Sequence, residues 1–483
     1  MKIFDFFDIN LTNFNHSKSR KIKLLVCSLI FVISFTTIGY RTITLASVKK
    51  DNLSKTVNKK IETRTFKENL RGNIYDRNNN ILATTINTLS LNINPQEVLN
   101  KDETIAKLIQ IFPNLNNKKL LKKLNSNRKH INLLREISPK DYIRLLQIGI
   151  EGLKIQKSTK RIYPNNSLAS HILGGTDIDG KGIAGIEKKF DSQLQEGESI
   201  NLSIHSGIQH ITKKLLSDQI TRFEAEGGAG IVMDAKNGQV YSIVSLPDYN
   251  ANNYNKTLNK KLFNKATKGI YELGSTLKLI TAAIAFESKL INENEVFDVS
   301  KPLRVSSRII SDFHPLGYAI NIPEVIVHSS NIGSAKIAEK FGPSIQLKYL
   351  RSLGLMNILP LEIPELGKPQ VIMDKKVLST MTISYGHGIS ITPMHLTSAT
   401  ATIVNNGIKV NPTLLLNKTL LENVQIISSE TSMKMKSIMR LVVSNKYGTA
   451  KKAEVAGYLI GGKTGTAEKI NPNGGYFKKK NIV

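Results

Sequence analysis

The sequence predicts an α+β chain with a membrane anchor, on three observations. An uncharged apolar run lies near the N-terminus, helical apolar spacing mixes with strand-like segments up to about residue 204, and strands, then helices, then strands follow. The anchor is LLVCSLIFVISFTTIGY, Leu24 to Tyr40, close to the roughly 20 residues that span a bilayer. Lys18, Arg20, Lys21 and Lys23 precede it while Arg41 alone follows at once, which places the N-terminus on the cytoplasmic side and the bulk of the chain outside. A cleaved signal peptide is the competing reading, but the run is longer than a usual signal core and lacks a clean Ala-x-Ala site. The expected layout is a tail over 1–23, a transmembrane helix over 24–42, a polar stalk over 43–70, a mixed α/β domain over 71–204 and a second domain over 205–483.

Each element has its own signal. RGNIYDRNNNILATT, from Arg71, sets a strand-like pattern around an Asn-rich turn. ETIAKLIQIF, KKLLKKLN and SPKDYIRLLQIGI, between about 95 and 150, space their apolar residues as helices do. RIYPNNSLASHILGG and DIDGKGIAGIEKKFD read as glycine-rich turns with short strands. GGAGIVMDAKNGQVYSIVSLPDYN, from Gly227, is a strand, a Lys-Asn-Gly turn and a second strand, hence a hairpin. Long apolar helices follow Ser275 and run through HSSNIGSAKIAEKF, and strand character returns near Tyr458. That order suggests one antiparallel sheet with helices packed on it.

Composition narrows the function classes. The 483 residues are 40% hydrophobic, and the single cysteine, Cys27, excludes an intramolecular disulfide framework and any Cys-cluster zinc site. No His or carboxylate cluster suggests a metal. A net charge of +29 invites a nucleic-acid partner. The lysines, however, are scattered among Asn and Ile without a basic stripe interleaved by aromatics, and export would keep the bulk of the chain from the nucleoid. No nucleic-acid partner is expected; a basic nucleic-acid binder would require that Leu24 to Tyr40 not insert.

The chemistry begins at YELGSTLKLITAAIAF, which sets Ser275 and Lys278 three apart at the head of an apolar helix. Residues i and i+3 share a helix face, so the amine can reach the hydroxyl. The positive end of the helix dipole and burial would both disfavour charged Lys278, and a lysine with a lowered pKa can accept a serine proton. The same Ser-x-x-Lys spacing occurs at Ser47 and Ser126 in polar surroundings, so spacing alone leaves a helix cap as the alternative. HSSNIG adds Ser329 and Asn331 at the start of another helix. GGKTGTAEK, the only Lys-[Ser/Thr]-Gly in the chain, places Lys463, Thr464, Gly465 and Thr466 on an expected strand. Each alone reads equally as a cap or a solvated strand; together and in this order they form a recognisable constellation.

With those motifs the chain resembles a class B penicillin-binding protein, a D,D-transpeptidase of peptidoglycan synthesis. RGNIYDRN, RIYPNNSLASHILGG, GAGIVMDAKNGQVYSIVS, NKATKGIYELGSTLK and SYGHGISITPMHL also stand where that family has matching segments, so the resemblance covers almost the whole chain. GKGIAGIEKKFD and SYGHGISITP look more like the septal, cell-division type than the elongation type. The resemblance implies a dimerisation-type pedestal over 71–204 and a transpeptidase domain over 205–483, an antiparallel sheet with helices on both faces. It implies Ser275 as nucleophile, Lys278 as base, Ser329 as proton relay and Asn331 as the residue that holds the donor amide and orients Lys278. Lys463 would add positive charge, and the Thr464 and Thr466 hydroxyls would bind the terminal carboxylate of D-Ala-D-Ala. Gly465 would let the backbone approach the ligand, and the N–H groups of Ser275 and Thr466 would form an oxyanion hole.

Stem peptides as substrate, β-lactams as inhibitors, no cofactor, a single-pass inner-membrane anchor with a periplasmic bulk, and glycosyltransferase and division-machinery partners are likewise implied. His387 is expected to be structural. Arg71, Asp76 and Arg77 are expected to form a buried salt-bridge network joining the pedestal to the catalytic domain. Leu273 stands where the family often has proline. The resemblance further implies strands beyond YFKKKNIV that would complete the sheet. The expectation is therefore either an active transpeptidase or a truncated, non-catalytic membrane protein that keeps its pedestal contacts with division partners.

Overall fold

The computed structural model describes residues 22–44, 70–292, 294–306, 308–374, 376–418, 423–471 and 475–483. Most of the expected tail and stalk, and residues 472–474 of the NPNGG turn, lie outside them. Met1–Asn69 and Leu70–Val483 are separate units.

In the first unit a single helix, Ile22–Thr44, brackets the expected span by two residues at each end. Its 23 residues rise about 34 Å at 1.5 Å each, enough for a hydrocarbon core of roughly 30 Å. Its threonines return their hydroxyls to carbonyls one turn back, Thr36 to Val32 at 2.7 Å, Thr37 to Ile33 at 2.6 Å and Thr42 to Ile38 at 2.7 Å, so no polar group is left wanting in lipid at these positions.

In the second unit the long strand Ile81–Ile93 organises the N-terminal half. It pairs antiparallel with Leu153–Ile162 from Thr84↔Ile162 to Ile93↔Leu153, and on its other side with Ile131–Ile137. Ile74–Tyr75 pairs antiparallel with it and parallel to Ile200–Asn201. Helices Lys101–Ile111, Asn117–Leu124 and Pro139–Ile148 occupy the segments with helical spacing. Asn100, Asn116 and Ser138 cap them by accepting from the third backbone N–H inside. Their buried Ile105, Leu108, Leu124 and Leu145 pack with Leu91, Ile93 and Leu133 of the sheet. The strands Ile131–Ile137 and Leu153–Ile162 were not anticipated. In the second, every residue between Ile155 and Ile162 is polar or charged, a pattern that reads as solvated coil unless a partner strand is known.

The expected Arg71–Asp76–Arg77 network takes a different form. Arg71 pairs with Glu187 and Asp191, each at 2.7 Å, and Glu187 also takes Arg161 at 2.7 Å, so this ionic cluster stays inside the N-terminal half. Asp76 and Arg77 reach the C-terminal half without ion pairs. Asp76 accepts from the Ser206 hydroxyl at 2.6 Å, and Arg77 lies 4.0 Å over the Tyr241 ring. Burial would raise the Asp76 carboxyl, but hydrogen bonds from Asn80, Ser206 and Asn78 outweigh it and hold the group at about 2. Its charge is met by N–H donors from Asn78 and Asn80 and by the Ser206 hydroxyl. One apolar cluster crosses between the halves, from Ile172, Leu173 and Ile186 to Val240, Ile243 and Met394.

The C-terminal half opens with helix Ser206–Arg222 and the hairpin Gly228–Met233 with Val240–Leu246, in register from Gly228↔Leu246. Gly230 admits the helix: a Cβ there would stand 2.8 Å from Thr212 Cγ2. Helices Lys278–Ser288, Ile322–His328, Asn331–Ser352, Pro393–Val404 and Ser429–Ser444 bury the largest apolar cluster, around Ile280, Ile284, Ile326, Ala335 and Met435. A second hairpin, Ala467–Ile470 with Tyr476–Ile482, ends the chain. Among the described residues the strands expected to form one antiparallel sheet are separate two-stranded ladders: these two hairpins, and short pairings of Phe297–Asp298 with Ala319–Ile320, Leu303–Val305 with Arg308–Ile310 and Gln370–Val371 with Ile389–Ser390. Likewise Lys463–Thr466 is not on a strand. Ladder pairing starts at Ala467↔Ile482, and no described residue pairs with 463–466. That segment is ordered by contact with the serine turn.

Candidate active site

The serine turn starts at Gly274, whose φ of +54° belongs to the left-handed region that glycine alone enters freely. A Cβ there would lie 2.4 Å from the Thr466 carbonyl oxygen, so the residue also sets how closely the 463–466 segment approaches. Ser275 sits in the 3₁₀ turn Gly274–Leu277, and Thr276 Oγ1 donates to Leu273 O at 2.8 Å. Lys278 opens the helix Lys278–Ser288 and is fully buried among Leu279, Ile280 and Ala282.

Lys278 Nζ lies 2.9 Å from Ser275 Oγ, 2.6 Å from Ser329 O, 3.2 Å from Ser329 Oγ and 2.7 Å from Asn331 Oδ1. Burial first, and then the Lys463 ammonium, hold it well below the ordinary lysine range, with Asp312 opposing them. A neutral amine has two N–H bonds and one lone pair. Ser329 O accepts only, and Asn331 presents Oδ1 because its Nδ2 donates to Ser311 O at 3.0 Å. These two acceptors take both N–H bonds and leave the lone pair for a hydroxyl, which is the arrangement a base for Ser275 requires.

Ser329 ends the helix Ile322–His328 at φ 60°, ψ 41°, and Ser330 caps Asn331–Ser352 by accepting from Gly333 N at 2.9 Å. Gly333 is held small by Val325, whose Cγ2 would meet a Cβ at 2.4 Å. Lys463 Nζ donates to Ser329 Oγ at 2.8 Å, so one hydroxyl bridges two lysines; burial brings Lys463 down to about 8.

Thr464 and Thr466 are exposed beside the serine turn. Gly465 approaches the serine turn closely, where a Cβ would stand 2.8 Å from Leu273 O and from Thr276 Cγ2. The structure thus joins Ser275, Lys278, Ser329, Asn331 and Lys463 by direct hydrogen bonds and lays Thr464, Gly465 and Thr466 alongside.

Three supports escaped the sequence reading. Thr449, from the loop after helix Ser429–Ser444, shares a 2.9 Å hydroxyl contact with Thr464. Buried Glu272 accepts from Gly388 N at 2.7 Å and Tyr476 Oη at 2.9 Å, which ties the SYGHG loop and the last hairpin to the serine turn. Asp312 accepts from the Asn331 and Ile332 backbone N–H groups and from the Ser330 hydroxyl. None has a spacing signal, because each acts from another part of the chain. His387 lies between Tyr385 and Tyr476, tilted to the first and edge-on to the second with ring centroids 5.3 and 5.8 Å away, in that supporting layer.

Comparison with known proteins meets the same two halves. The penicillin-binding protein dimerisation domain matches residues 67–202 and the penicillin-binding protein transpeptidase domain matches 228–483. A probable peptidoglycan D,D-transpeptidase FtsI of Caulobacter vibrioides is 32% identical over 415 residues, 84% of this chain and 70% of that protein. The peptidoglycan D,D-transpeptidase FtsI of Buchnera aphidicola subsp. Schizaphis graminum is 28% identical, covering 96% of this chain and 89% of its own length. That of Escherichia coli is 26% identical, covering 85% and 75%. The chain belongs to the class B penicillin-binding proteins, of the septal D,D-transpeptidase type.

Proposed function

We propose that this chain cross-links peptidoglycan during cell division by acyl-serine D,D-transpeptidation of stem peptides ending in D-Ala-D-Ala. The observation that carries the reading is the hydrogen-bonded chain from Ser275 through buried Lys278 and Ser329 to Lys463. Lys278 takes the Ser275 proton as Oγ attacks the penultimate D-Ala carbonyl. Ser329, poised between the two lysines, delivers a proton to the departing amine of the terminal D-Ala. Asn331 orients Lys278 and the donor amide, and the Ser275 and Thr466 N–H groups face the oxyanion, a type of contact worth about 3–4 kcal/mol each in other enzymes. Lys463, Thr464 and Thr466 bind the terminal carboxylate, and Gly465 keeps that segment against the serine turn.

The amine of a neighbouring stem then attacks the ester, gives its proton to the Lys278 side and frees Ser275 as the new amide forms. In a β-lactam the broken amide stays tethered to the acyl group, so the ester persists and the enzyme is trapped. Residues 71–204 serve as pedestal and 205–483 as the transpeptidase domain. The chain is held by Ile22–Thr44 in the inner membrane with its bulk in the periplasm, where a glycosyltransferase supplies glycan strands and division proteins dock. The test is reconstitution of the full chain with a glycosyltransferase and lipid-linked disaccharide pentapeptide. Ser275-dependent release of D-Ala with dimeric muropeptides is expected; equal cross-linking by Ser275→Ala would overturn the reading.

A further inference from the structure

We infer that Asp312 is a positioning residue for acylation: its carboxylate fixes the Ser329–Asn331 turn so that Ser329 O and Asn331 Oδ1 hold both N–H bonds of neutral Lys278. The inference rests on the proposed role of Lys278 as base for Ser275.

Ser329 lies at φ 60°, ψ 41°, a left-handed conformation that residues with a Cβ avoid. That conformation brings the Ser329 carbonyl 2.6 Å and its hydroxyl 3.2 Å from Lys278 Nζ. Relaxation of the turn would swing the carbonyl away and release one N–H of the amine. Asp312 opposes this by gripping the three residues that follow. Its Oδ2 accepts from Ser330 Oγ at 2.6 Å, and its Oδ1 accepts from Asn331 N at 2.5 Å and Ile332 N at 3.0 Å. Those N–H groups are the otherwise unpaired donors at the start of Asn331–Ser352, where a carboxylate is also favoured by the helix dipole.

The preceding residue completes the clamp, because Ser311 O accepts from Asn331 Nδ2 at 3.0 Å and so decides which face of the amide meets Lys278. Ser311 and Asp312 follow the short strand Arg308–Ile310, which pairs with Leu303–Val305; Ile310 is buried in the apolar cluster of the helices, so the ladder ties the clamp to that core. Asp312 also acts through charge. Among the charged groups acting on Lys278, Lys463 disfavours its protonation and Asp312 favours it.

The test is the second-order acylation rate by fluorescent penicillin, measured from acid to alkaline pH on membranes carrying the full chain. In Asp312→Asn the plateau rate falls by between about tenfold and a hundredfold, the scale of a lost hydrogen bond to a charged group. Its acid limb also moves to lower pH, because Lys278 loses the anion that favours its protonation. Ser330→Ala removes one grip without altering charge, so its rate falls and its limb stays in place. Asp312→Glu keeps the charge and displaces the carboxylate; the rate falls with the limb unmoved, and this variant decides the matter if Asp312→Asn does not fold. A wild-type rate in either Asp312 variant, or a slower Asp312→Asn with an unmoved limb, overturns the inference. Labelling that persists in Ser275→Ala overturns the underlying assignment of the nucleophile instead.

Discussion

Substituting Gly274 by Ala is the sharpest structural perturbation of the site, because the residue carries both a backbone conformation and a contact. A φ of +54° costs a residue with a Cβ about 1–2 kcal/mol. The added Cβ would stand 2.4 Å from Thr466 O and 3.3 Å from Ala467 Cβ. Restoring even a tight contact of 3.0–3.4 Å requires Thr466 to retreat by 0.6–1.0 Å from the serine turn. A displacement on the order of 1 Å from productive geometry costs roughly a hundredfold in rate. The expected result is acylation by fluorescent penicillin slowed by about tenfold to a hundredfold, with a modest fall in melting temperature.

Gly149→Ala is the matched control. Its φ is +58°, yet nothing lies within 4 Å of the added Cβ. Its backbone, at φ 58° and ψ 98°, is also strained for a residue with a Cβ, so it should lose stability yet acylate at the wild-type rate. Normal acylation by Gly274→Ala, or an equal loss in both variants, would refute the argument that the turn and the 463–466 segment are matched in shape.

Two further outcomes follow from charge. In the proposed mechanism acylation uses neutral Lys278 and protonated Lys463, so its rate should rise with pH through the depressed Lys278 pKa and fall as Lys463 loses its proton near pH 8. Lys463→Arg, which stays protonated, should be slower but lose the alkaline decline; a decline retained in that variant would assign it to another group. In the N-terminal half, Glu187→Ala leaves the buried Arg161 guanidinium without its carboxylate and Arg71 with Asp191 alone, at a cost of about 3–5 kcal/mol in unfolding experiments. A loss below about 1 kcal/mol would show that solvent readily reaches the cluster.

Much of the site is legible in the chain because its motifs are short: Ser275 and Lys278 are one helical step apart, and Ser329 and Asn331 straddle a cap. The contacts that join these motifs, Lys278 to Ser329 and Asn331 and Lys463 to Ser329, are long-range, and there the resemblance rather than the spacing brought them together. The hairpin from Gly228 is equally local, since Lys-Asn-Gly marks its turn. What escapes is set by distant partners. Glu187 reads as one acid among surface lysines until the fold buries it between Arg71 and Arg161. Asp312 and Glu272 matter through backbone N–H groups and hydroxyls supplied by other segments. The 463–466 segment has strand-like composition, but a ladder needs a partner, and here the serine turn takes its place.

The most direct test of the account is to label the full chain in membranes with fluorescent penicillin and map the adduct by peptide mass spectrometry, beside Ser275→Ala. The account predicts one ester adduct, on the tryptic peptide that contains Ser275, and none in the variant. An adduct on another residue, or undiminished labelling of Ser275→Ala, would contradict it.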